Sequence, residues 1–202
     1  MKYLTTLSCS VLVIAILTFV LPNTEESELY DGFIRLHVVA NSDIKKDQTL
    51  KHDVRDGILE IMSNLTAECA NVKEAETVFN MHRGEITEAA SKIIEAKGFD
   101  YKVTVTLDDE YYPTCEYAGI TLPAGIYRSA RILIGNAQGK NWWCILFPPL
   151  CVDTAKAKEK LVSAGFSQNQ IRILTDGDNV KYKMKFRVLE ILEQFFAALG
   201  DK

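Results

Sequence analysis

Histidine is scarce in this chain. Of 202 residues only three are histidine, His37, His52 and His82, and none falls in an H-E-x-x-H or Cys-His ligand spacing, which argues against a zinc centre. No G-x-S-x-G elbow occurs either, so the usual nucleophile of α/β-hydrolases is missing. An excess of basic charge is lacking as well. The formal net charge of -4 and pI near 5.5 argue against nucleic acid as the main partner, since neutralising phosphates needs surplus Lys and Arg. There is no internal repeat and no low-complexity tract, which excludes solenoid and tail-like architectures.

Two stretches look like catalytic motifs and fail. GNAQGKN at Gly135 to Asn141 is one residue too short for a phosphate loop, has Asn141 in place of the required Ser or Thr, and precedes a strand pattern instead of a helix. A hairpin loop that needs glycine freedom explains it better. Asp153-Thr154-Ala155 resembles an aspartic protease triplet, but such enzymes bring two carboxylates together from two copies. A helix cap accounts for it. No metal ligand set, cofactor motif or catalytic residue emerges.

What is present begins with grease. Leu4 to Leu21 (LTTLSCSVLVIAILTFVL) carries no charge and Pro22 ends any helix. This run is close to the roughly 20 residues that cross hydrocarbon. Lys2 precedes it while Glu25, Glu26, Glu28 and Asp31 follow, so the positive end stays in the cytoplasm and the rest of the chain is exported. No small-x-small cleavage site closes the run, which leaves residues 1–21 as signal peptide or membrane anchor. Residues 22–32 read as a polar linker and residues 33–202 as one exported domain, for which a 48% hydrophobic content supplies a substantial core.

Within that domain, FIRLHVVA from Phe33 alternates, with Ile34, Leu36, Val38 and Ala40 on one face and Arg35 and His37 on the other, the period of a half-buried strand. Asp47 is placed to cap a helix whose face is Leu50, Val54, Ile58, Ile61, Met62 and Leu65. Asn71 and Glu74 form a capping box for a second helix, lined by Val78, Phe79, His82, Ile86, Ala90, Ile93 and Ile94 and ended by Gly98. Tyr101 to Leu107 alternates strictly, Asp108 to Glu110 reads as a turn, and strands are expected over Tyr112 to Ile120 and Ile126 to Ile134. Trp142 to Phe147 is apolar on both faces, which suggests a central strand. A short helix follows from Asp153 or Thr154 to Gly165, Val180 to Phe186 suits an edge strand or a helix start, and Val188 to Leu199 has helical spacing. The fold class is α+β, an antiparallel sheet with helices packed on one face.

Four cysteines, Cys69, Cys115, Cys144 and Cys151, lie in the exported part. Cys144 and Cys151 form the best local pair, a bridge worth about 2 to 3 kcal/mol or else two buried thiols. Trp142 and Trp143 point to opposite faces of one strand, so at most one of them can serve a partner while the other fills the core.

Three blocks together resemble the stage II sporulation protein R family of endospore formers: RLHVVANSD at Arg35 to Asp43 with DQTLKHDVRD at Asp47 to Asp56, LPAG-x-Y at Leu122 to Tyr127, and GKNWWCILFPPLC at Gly139 to Cys151. The likeness covers roughly Phe33 to Asp153. His37 stands where the family pattern suggests Arg, and residues 153–182 diverge. The resemblance implies a signal made in the forespore, exported into the space between the two sporulation membranes, which activates a membrane-embedded aspartic protease that processes a pro-sigma factor. It implies a ligand and no enzyme. Candidate partner contacts are Asn41, Ser42 and Asp43, then Asp47, Gln48, Lys51 and Arg55, and the loop residues Gly139, Asn141 and Trp142. Rival readings are a secreted or surface-anchored hydrolase with a site around His37, Asp43 and His52, and a structural envelope protein.

Overall fold

The computed structural model describes Ser10 and residues 29–117, 119–151 and 156–175. The expected export segment 1–21, most of the linker, the cap at Asp153 or Thr154, the Val180 to Phe186 segment and the helix from Val188 to Leu199 lie outside the described residues. Among the described residues no helix is long and apolar enough to cross a membrane.

Strand β1 (Ile34–Val39) leads into two long helices, α1 (Lys45–Leu65) and α2 (Val72–Ala96). Then come β2 (Val103–Tyr112), a hairpin of β3 (Cys115–Tyr117) and β4 (Ile120–Leu122), β5 (Gly125–Ile134), β6 (Asn141–Phe147) and two short helices, α3 (Ala157–Ser163) and α4 (Gln168–Thr175). The α+β class stands. The helical faces read from the spacing are those that pack: Leu50, Val54, Ile58 and Met62 of α1 and Phe79, Ile86, Ala90 and Ile94 of α2 are fully buried. The start of α2 is capped as expected, Asn71 Oδ1 accepting from the Glu74 amide at 3.1 Å while Glu74 Oε2 accepts from the Ala70 amide at 2.8 Å. At its other end Gly98 has a φ of 80°, a conformation that favours glycine and lets the Phe99 amide reach the Ile94 carbonyl.

The sheet departs from the expected antiparallel meander. Its order is β2-β5-β1-β6, and β1 runs parallel to β5 and antiparallel to β6. All six residues of β1 are buried, so the strand takes an interior position, between the two strands that the Gly135 to Lys140 loop joins. That loop is therefore no tight hairpin. It passes over the end of β1, and the Gly139 and Gln138 amides donate to the carbonyls of Ala40 (2.9 Å) and Asn41 (3.2 Å). Strand β6, expected to be central, is at the sheet's edge. Its two apolar faces have another cause: the sheet is covered on both sides.

Ile34, Leu36, Val38, Ala130, Ile132, Cys144 and Leu146 face α1 and α2 and make the first core. On the opposite face Tyr112, Tyr127 and Ile145 meet Phe33, the β3–β4 hairpin, Leu161 of α3 and Ile171 and Leu174 of α4 in a second core. The expectation of helices on one face is corrected by this second layer. Asp108 to Glu110, expected as a turn, continue β2, and Tyr112 to Ile120 is not one strand but the end of β2 and most of the small hairpin. The acidic run stays in the sheet because it has partners there: Arg128 holds Asp109 at 3.1 Å, and Glu110 is held by His37 and Ser129.

Candidate functional site

The sequence-derived contact residues gather where the loop crosses the end of β1. Asp47 is the hub. It is 1% exposed, and its carboxylate accepts from Ser42 Oγ (2.6 Å), Asn41 Nδ2 (2.8 Å) and the Tyr101 hydroxyl (3.2 Å). It is not the helix cap expected, since α1 starts two residues earlier with Ile44 in the cap position and no side-chain cap. An acid in the first turn instead faces the amino end of the helix, where a negative charge is favoured. Burial works against its ionisation, yet the hydrogen bonds from Ser42, Asn41 and Tyr101 win and hold its carboxyl below the ordinary carboxylate range.

The other members interlock around this hub. Asn41 Oδ1 accepts from the Asn136 amide at 2.9 Å, and Asp43 Oδ1 from the Lys140 amide at 2.7 Å. Gln48 Nε2 donates to the Ser42 carbonyl at 2.9 Å; Lys51 Nζ donates to Gln48 Oε1 (2.7 Å) and to the Lys140 carbonyl (2.9 Å). Lys51 is only 2% exposed. Burial pushes its ammonium below the ordinary value, Asp43 opposes the fall, and Arg55 and Lys140 add to it. Gly139 allows the closure, because a β-carbon there would lie 2.7 Å from the Ser42 carbonyl carbon and 2.9 Å from the Ala40 β-carbon. The turn and capping chemistry of Asn41, Ser42 and Asp43 thus builds a joint that ties β1, α1 and the crossing loop together.

A second ring of residues stands outside the joint. Arg55 stacks its guanidinium 4.3 Å from the Trp142 ring and pairs with Asp56 at 2.7 Å. His52 meets the same indole edge-on at 5.0 Å. Burial, then the charges of Arg55 and Lys51, keep the His52 imidazole below its ordinary value against the pull of Asp56 and Asp53. Asp43 and Asn141 are exposed, and Arg55 and Trp142 are half-buried.

Across the sheet a second polar cluster went unread in the sequence. His37 is 5% exposed, stacks on Trp143 at 3.7 Å, and bonds Glu110 through Nδ1 (2.9 Å) and Asn141 through Nε2 (3.0 Å). Ser129 Oγ donates to Glu110 at 2.8 Å and bonds the Tyr112 hydroxyl at 2.8 Å. Thr106, Arg131, His37 and Trp143 form one row across the four strands. Arg35 is fully buried next to it, with its guanidinium over the rings of Tyr112, Tyr127 and Tyr117 at 4.1, 5.0 and 5.4 Å. Its Nε donates to the Cys144 carbonyl (3.1 Å) and Nη2 to the Tyr117 hydroxyl (2.9 Å), while Nη1 has no hydrogen-bond partner. Burial, with Arg35 opposing, pushes Tyr117 up to about 12. Alternation in β1 suggests a half-buried strand with Arg35 and His37 on its polar face, whereas the structure buries that face as well, and only the acidic and tyrosine partners far along the chain reveal the cluster.

The residues of the hydrolase reading are not brought together. His37 lies on the Trp143 side of β6 and His52 on the Trp142 side, which are opposite faces of the sheet, and Asp43 is engaged with the Lys140 amide. Ser129 bonds Glu110 and Tyr112, with His37 Nε2 turned to Asn141, so no Ser-His relay forms here. Among the described residues no group of three or more His, Cys, Asp or Glu could hold a metal ion. Cys144 and Cys151 are disulfide-bonded, with Cα atoms 6.5 Å apart, and Cys69 and Cys115 are free thiols.

The joint and the cysteine pair both fall in a span with known relatives. The model of the stage II sporulation protein R family matches residues 30–157, ending where α3 begins. The stage II sporulation protein R of Bacillus subtilis (strain 168) is 37% identical over 121 residues, which is 60% of this chain and 54% of that protein. The match thus spans about half the length of that relative. No solved structure matches. With well over half of its length under that family model, the chain belongs to the stage II sporulation protein R family.

Proposed function

We propose that this protein is an exported signal that passes from forespore to mother cell during sporulation and switches on a membrane-embedded aspartic protease, which then processes a pro-sigma factor. The apolar segment before Pro22, with Lys2 ahead of it and acidic residues behind, supports delivery of the domain across a membrane. One observation carries the reading furthest. Inside the span shared with the family, exposed Asp43 and the half-buried Arg55–Trp142 stack lie beside a joint whose own polar groups, Asp47 and Lys51, are buried and satisfied. Such an arrangement fixes the positions of the more exposed groups in advance, which lowers the cost of ordering them on docking.

A ligand of this kind acts only through a difference in affinity between receptor states. Docking of the outer ring favours the assembled, active form of the protease, in which two copies pair their aspartates. Lys51 is a poor probe of this surface, because reversing a buried charge breaks the joint itself. Asp43→Asn, which removes the charge but keeps an acceptor for the Lys140 amide, Arg55→Glu and Trp142→Ala are the informative variants. In cells that also make the protease and the precursor, each should be exported at the normal level and lose about tenfold or more of the processing, the loss typical of a hot-spot residue. Full processing by all three would remove this surface from the proposal.

A further inference from the structure

Cys144 and Cys151 stand at the seam between the two cores. Cys144 is 5% exposed and belongs to the core under α1 and α2, whereas Cys151 is half-buried and packs against both cores. The Cys151 sulfur also accepts the Ile145 amide at 3.2 Å. Between the two cysteines, Leu150 enters the second core, and the Pro149 carbonyl accepts from Lys160 Nζ of α3 at 2.8 Å. The turn that the disulfide fixes is therefore the ledge on which α3 docks, with α4 behind it. From outside, Cys151 lines a cleft of about 350 Å³ with Asp56, Leu59, Glu60, Ser63 and Asn64 of α1.

We infer that the Cys144–Cys151 pair is an oxidation-dependent clamp, closed outside the cytoplasm by thiol-disulfide exchange with a disulfide-bearing oxidoreductase at Cys151, which locks the α3–α4 layer and completes the signal only after export. The signalling half of this statement rests on the function proposed above. The chemistry balances as two exchanges. The Cys151 thiolate attacks the oxidant's disulfide, forming a mixed disulfide and releasing one oxidant thiolate. The Cys144 thiolate then attacks the Cys151 sulfur, closing the intramolecular bond and releasing the second oxidant thiol. Two thiols of this chain thus lose two protons and two electrons, and the oxidant's disulfide takes up both. The order follows from access: a partner can reach Cys151 through the cleft but not Cys144. Of the free thiols, Cys69 is a weak competitor, since burial and then the nearby Glu74 and Glu68 raise it above its ordinary value and keep it protonated.

The test compares the full chain in its oxidised form, after reduction with dithiothreitol, and as the Cys144→Ala/Cys151→Ala variant, by hydrogen exchange and by processing of the precursor. In the reduced and variant forms residues 157–174 should exchange about tenfold faster or more while β1, α1 and α2 keep their protection, as for a locally opened unit. Processing should fall by a similar factor, and glutathione disulfide should restore the reduced wild type but not the variant. Unchanged exchange at 157–174 overturns the clamp, and so does loss of protection throughout β1 and α1. Undiminished processing by the variant overturns its role in signalling. The exchange data stand apart from the functional reading: if even the oxidised wild type triggers no processing, that reading falls, while the difference at 157–174 still decides the clamp.

Discussion

Replacing Gly139 by alanine tests the joint at its tightest point. The added β-carbon would lie 2.7 Å from the Ser42 carbonyl carbon, 2.9 Å from the Ala40 β-carbon and closer still to the Ser42 carbonyl oxygen. Two of these three atoms are backbone, so relief requires the loop or the end of β1 to move. Overpacking of this kind costs about 1–3 kcal/mol. Movement also strains the Gly139 amide to Ala40 carbonyl bond (2.9 Å), the Lys140 amide to Asp43 bond (2.7 Å) and the Lys51 bond to the Lys140 carbonyl (2.9 Å), each worth about 1 kcal/mol. A total of about 2–4 kcal/mol would lower the melting temperature by roughly 5–12 °C for a chain of this size. Gly84 supplies the contrast: it sits within α2, and a β-carbon there meets nothing within 4 Å. Gly84→Ala should stabilise by about 0.5–1 kcal/mol through helix propensity. Circular dichroism melts of the full chain in mild detergent measure both. A Gly139→Ala protein that melts with or above the wild type would refute the packing described for the joint.

Asp47→Asn should flatten the acid limb of the stability curve. The folded carboxyl is held below its ordinary range, so its contribution is present above the unfolded value, near pH 4, and is lost as pH falls through the folded one. Urea titrations from pH 7 to 2 would show wild type and variant converging at low pH; parallel curves would contradict this. Arg35→Lys should cost about 2 kcal/mol, since an ammonium cannot make both the Cys144 carbonyl and Tyr117 bonds while spreading over three rings; a shift in the urea midpoint measures it. Tyr117→Phe leaves Arg35 Nη2 without its acceptor and should destabilise by about 1–2 kcal/mol, whereas an unchanged midpoint would mean that water replaces the hydroxyl.

Helices α1 and α2 were legible because each buries one stripe, and a stripe has a period. The Asn71–Glu74 cap was legible because it is local. Strand order was not, since alternation tells which residues face inward but not which strand lies alongside. Strand β6 shows the limit: two apolar faces were read as a central position, whereas the second core, built from Phe33, the small hairpin and the α3–α4 pair, covers an edge strand equally well. Asp109 and Glu110 looked like turn residues because their partners Arg128, Ser129 and His37 lie 19 to 73 positions away. The candidates from Asn41 to Arg55 lie together in space, but burial separates Asp47 and Lys51 from exposed Asp43 and half-buried Arg55. A buried ion beside hydrogen-bonding partners and an exposed one have the same sequence signature.

The most direct test of the account places this chain, the membrane-embedded aspartic protease and its pro-sigma substrate together in a bacterium that does not sporulate, with and without residues Met1 to Leu21. Cleavage of the precursor only when the intact, exported chain is present is the predicted result. Cleavage driven equally well by the truncated chain retained in the cytoplasm would contradict it.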